Sequence, residues 1–136
     1  MTTTCTGRQP LIGFVCFLMV ALASCAQDSE SVATSISADA LVARLGAADA
    51  PTILDVRTPE EYSSGHVPGA INVPHDQIAA RSGEFAAMKD REFVVYCRSG
   101  KRAGMAEADL RAAGFSRVVD LEGHMQGWEA GDFPVE

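Results

Sequence analysis

Apolar residues fall into one unbroken run near the start of the chain and, after it, into short runs separated by mixed polar stretches. The unbroken run, Leu11 to Ala23 (LIGFVCFLMVALA), carries no charge. As a helix it would rise only about 20 Å, short of what a hydrocarbon core requires. It follows a single basic side chain, Arg8, which is the profile of a secretory leader, with an uncleaved anchor starting at Leu11 as the alternative. Further on, Thr52 to Val56, Ala70 to Val73, Phe93 to Cys97 and Val118 to Leu121 read as strands. Helical patterns lie between them. Ser37 to Leu45 places Ala40, Leu41 and Leu45 on one face and stops at Gly46. Thr58-Pro59-Glu60-Glu61 opens a short helix, with Thr58 as cap, Pro59 at the first helical position and Glu61 closing a capping box. Asp76 to Met88 forms a third helix weakened by Gly83, and Arg102 to Ala113 an Ala-rich fourth that ends at Gly114. This alternation predicts an α/β fold, a parallel sheet of about five strands covered by helices on both faces.

Length allows one domain, since the chain has 136 residues. Nearly all charge lies from Asp28 onward, so loss of residues 1–24 would leave 10 basic against 18 acidic residues and a mature charge of about −8. Nucleic acid is a poor partner for such a surface. The leader closes on Leu22-Ala23-Ser24-Cys25, which resembles the bacterial lipobox and marks Cys25 for acylation and for the mature N-terminus. A lipid anchor in the membrane of the cell envelope follows, with a soluble periplasmic form as the alternative. Ala26, in place of the aspartate associated with inner-membrane retention, favours the outer membrane. Residues 25–35 are small, polar and acidic and read as a flexible tether; residues 36–136 make the domain. Cys5 and Cys16 leave with the leader, so Cys97 is the one thiol of the mature chain beyond a lipidated Cys25. A lone thiol kept in an oxidising compartment points to reactivity.

Cys97 ends a buried-strand pattern and is followed at once by Arg98-Ser99-Gly100-Lys101-Arg102 and the Ala-rich helix. At that edge of an open α/β sheet, a loop turning into a helix aims backbone N–H groups at one point and favours an anion. Helix N-terminus and cations both stabilise negative charge on the sulfur. Gly100 fits a close backbone approach or a positive φ.

CRSGKR resembles the active-site loop of rhodanese-like sulfurtransferases. DVRTPEEYSSGHVPGAINVP, Asp55 to Pro74, is similar to the N-terminal signature of that family, and LEGHMQGW, Leu121 to Trp128, to its C-terminal one. The resemblance implies that Cys97 accepts a sulfane sulfur and that the N–H groups of Arg98 to Arg102 cradle the persulfide. It implies a small anionic sulfur donor, such as thiosulfate, a polysulfide or a persulfide, and a cyanide, thiol or protein acceptor, without a cofactor. Asp55, Arg57, Glu61, His66 and Trp128 match signature positions, and their expected roles are supporting ones. Arg57 and Glu61, four apart, are expected to pair; His66 to hold a turn; Trp128 to pack. His124 departs from the pattern, standing where the family usually has a second glycine.

Two other functions compete. A cysteine phosphatase or arsenate reductase would place its arginine after five intervening residues, at Ala103, whereas Arg102 follows four. A persulfide carrier or protein-binding module of the same fold is the second. No metal is expected, because His66, His75 and His124 lie in separate segments without ligand spacing.

Overall fold

The computed structural model describes residues 34–136. The expected leader, the expected acylation at Cys25 and the expected tether up to residue 33 lie outside the described residues. Five strands, β1 (Ser35–Ile36), β2 (Thr52–Asp55), β3 (Ile71–Asn72), β4 (Glu92–Tyr96) and β5 (Arg117–Leu121), form one sheet in the order β1-β5-β4-β2-β3. Every pairing is parallel. Helices α1 (Ala38–Arg44), α2 (Pro59–Ser63), α3 (Ile78–Arg81), α4 (Lys101–Ala112) and α5 (His124–Ala130) connect and cover them.

Alternation along β4 divides the core. Phe93 and Val95 point into a cluster with Leu54, Phe85, Leu110 and Val118, under α3 and α4. Val94 and Tyr96 point the other way, to Leu41, Ile53, Leu121, Met125 and Trp128, under α1 and α5. Burial on both faces explains the continuous apolar runs of β2 and β4. The fold is therefore the α/β sandwich the sequence predicts.

Three local features differ from expectation. Ser35, assigned to the tether, belongs to β1, paired with Asp120, and the Asp120 N–H is donated to Thr34 O. The segment 76–88 is not one helix but a single α-turn, α3, between 3-10 turns at His75–Gln77 and Ser82–Met88. Only Ile78 and Phe85 of that stretch are buried, and Ser82-Gly83 between them favours no continuous helix. Finally, α5 follows a left-handed Gly123 where no helix is read from the sequence.

Candidate active site

Cys97 follows β4 directly, and three residues, Arg98 to Gly100, lead from it into α4. The sulfur accepts a hydrogen bond from the Gly100 N–H at 3.0 Å. That geometry needs Gly100 at φ +109, which a residue with a Cβ rarely adopts. No side chain caps α4, so its first N–H groups face the loop, and their partial positive charge favours an anion there. From the opposite side α5 ties the loop down, with Met125 N–H donated to Cys97 O and Gln126 N–H to Arg98 O. The residue is buried, 1% exposed, while Arg98, Ser99 and Lys101 around it are exposed.

Arg102 is not a free cation. Its two terminal nitrogens grip Glu61 at 2.6 and 2.9 Å in a bidentate pair. That pair, with the Thr58 N–H of the capping box, holds the Glu61 carboxyl down at about 2. The bond to Glu61 first, and Cys97 to a smaller degree, raise Arg102 against its partial burial. The expected Arg57–Glu61 pair does not form. Arg57 turns instead to Asp55, with Nη2 2.6 Å from Oδ2 and Nε 3.0 Å from Oδ1, and donates to Gly65 O. Tyr96, the residue before Cys97, donates its hydroxyl to Asp55 Oδ2 and accepts from Val67 N–H. Burial and the Asp55 carboxylate push its phenol up, so it stays a donor. This buried network joins β2, β4 and the 65–67 turn. Tyr96 is marked in the sequence only as a hydroxyl-bearing residue at the end of an apolar strand.

His66 donates its Nδ1–H to Tyr62 O, 3.0 Å away, and stacks on the Tyr62 ring. Trp128 is fully buried and donates Nε1–H to Pro134 O. The site residues thus divide into two groups: Cys97, Gly100, Arg102 and Glu61 meet at one point, whereas Asp55, Arg57, His66 and Trp128 hold the structure around it. His124 also reaches the loop, its Nε2 standing 2.7 Å from where a Cβ on Gly100 would lie. A concavity of about 250 Å³ lies at the N-terminal ends of β4 and β5, away from Cys97. There Glu92 is already held by Arg44 and Arg117.

A cysteine on a loop at the C-terminal edge of a five-stranded parallel sheet stands where α/β folds place their ligand sites. The chain belongs to the rhodanese-like domain family, whose model matches residues 37–131. A sulfurtransferase of Allochromatium vinosum is 36% identical over 100 residues, covering 74% of this chain and 92% of that protein. A thiosulfate sulfurtransferase of Azotobacter vinelandii is 34% identical over 122 residues, 74% of this chain but 45% of that longer protein. Among solved structures, a rhodanese-related protein of Thermoplasma volcanium superposes with a TM-score of 0.65 at 31% identity, over 75% of this chain and 96% of its own.

Proposed function

We propose that the chain is a sulfurtransferase that carries a sulfane sulfur on Cys97, taking it from thiosulfate or a persulfide or polysulfide and giving it to a thiophilic acceptor such as cyanide or a thiol. The observation that carries this reading is the Gly100 N–H on Cys97 Sγ at a strand-to-helix junction beside Arg102. In the first half-reaction the Cys97 thiolate attacks the outer sulfur of the donor. A Cys97–S bond forms, the donor S–S bond breaks, and sulfite or a thiolate leaves with the electron pair. Two anions approach in this step, so the loop amides, Arg102 and the exposed Arg98 and Lys101 offset the repulsion. In the second, the acceptor attacks the outer persulfide sulfur, the Cys97–S bond breaks, and the thiolate returns. Loop length favours sulfur over phosphate, because Arg102 follows Cys97 after four intervening residues, one fewer than a cysteine phosphatase places before its arginine.

Mass spectrometry with and without thiosulfate tests the reading: one sulfur should be gained on Cys97 and none in Cys97→Ser. Steady-state rates should give parallel double-reciprocal lines. Intersecting lines, or activity retained in Cys97→Ser, would defeat the scheme.

The lipobox resemblance supports placement in the cell envelope, with the domain held to a membrane by an acylated Cys25 and the 25–35 tether. Two or more acyl chains would make that attachment stable.

A further inference from the structure

His124 bears two unfavourable features at once. Its backbone is left-handed, φ +50, and its buried Nδ1 has no hydrogen-bond partner among the described residues. Each disfavours the folded state, and strain of this kind gathers where a site uses it. The imidazole closes on the active loop. With Nε2 2.7 Å from the place of a Gly100 Cβ, the ring covers Gly100, the one residue among those described whose N–H reaches Cys97 Sγ. The bonds from Met125 and Gln126 to the loop keep α5, and hence His124, in place.

Charged groups surround the ring from each packed element. From β5, Asp120 Oδ2 lies 3.6 Å from Nε2, with Glu122 adding negative charge beside Asp120. From α4 comes Glu107, buried, whose Oε1 also lacks a partner while Oε2 receives Arg111. Burial first, and then the neighbouring Asp120, raise Glu107.

We propose that His124 is a positioning residue of the sulfur-carrying loop: neutral, its imidazole braces Gly100 so that the N–H stays on Cys97 Sγ; charged, it is drawn to Asp120 and the brace is released. The inference rests on Cys97 being the reacting atom, the premise of the proposed function. Burial lowers His124, with Glu107 opposing. The brace is therefore set at neutral pH and lost on acidification below the ordinary imidazole range.

The test compares the wild-type chain with His124→Gly and His124→Gln. Cys97 alkylation by iodoacetamide is followed by mass spectrometry across acid and neutral pH, and sulfur uptake from thiosulfate is read in parallel. His124→Gly, relieved of the strained backbone, should resist urea at least as well as wild type, yet alkylate about three- to tenfold more slowly at neutral pH, as expected for one lost N–H donor. His124→Gln keeps an amide near the position of Nε2 without titrating. Its neutral rate should approach wild type, and its rate relative to wild type should rise several-fold in acid. A ratio constant with pH, or a glycine variant as reactive as wild type, would overturn the proposal. Failure of the wild-type chain to take up sulfur, with the alkylation profiles differing as stated, would support the brace and sink the sulfur-transfer reading instead.

Discussion

Asp55 and Arg57 are both buried, at 0% and 2% exposure, so each charge depends on the other. Asp55→Ala would strand a guanidinium and also remove the acceptor of the Tyr96 hydroxyl. We expect a loss of about 3 to 5 kcal/mol in urea unfolding, the usual cost of breaking one side of a buried pair. Glu61 behaves differently because its side chain is 30% exposed and water screens the pair. Its carboxyl is held at about 2 in the folded chain, below the ordinary 4.5. The stability it contributes is therefore present above about 4.5 and lost as pH falls toward about 2. In Arg102→Met the Glu61 carboxyl should titrate near the ordinary range again, which a carbon-detected NMR titration would read. The failed Arg57–Glu61 pairing has a plain physical source. Spacing of four brings side chains together only when both residues lie on one helix, and Arg57 precedes the Thr58 cap. The Glu61–Arg102 pair spans 41 positions, a separation at which no local pattern is informative.

At the level of elements, what was legible follows from burial. Strands β2 and β4 are apolar almost throughout, α2 announces itself by its capping box, and α4 by alanines and Gly114. β1 has two residues, neither fully buried, and leaves no pattern. α5 is obscured by glycines, with only Met125 and Trp128 buried on it. Gly123 is the residue that allows α5 to start, at φ +75, with the place of its Cβ 3.1 Å from Gly127 Cα. Gly123→Ala should cost about 1 to 2 kcal/mol from the left-handed backbone alone. It should also slow Cys97 alkylation, since α5 carries the bonds from Met125 and Gln126 to the loop. Thermal unfolding and alkylation rates check the two effects separately.

For the whole molecule, the proposed anchor and the domain make separate demands. Replacing Cys25 by alanine should release the domain from membranes or leave the precursor unprocessed, as fractionation and the mass of the N-terminal peptide would report. Sulfur uptake by the released domain should be unchanged. The sheet order has another bearing. β4, which leads into Cys97, is bonded on both sides, to β2 and β5, while the margins β1 and β3 are two residues long. Local opening begins where fewest bonds must break. Among strand amides, Ile36 and Asn72 should exchange with deuterium first and those of Phe93 to Tyr96 last. Conformers that have shed their margins would still present the cysteine on an intact strand, so its chemistry should outlast the first stages of unfolding.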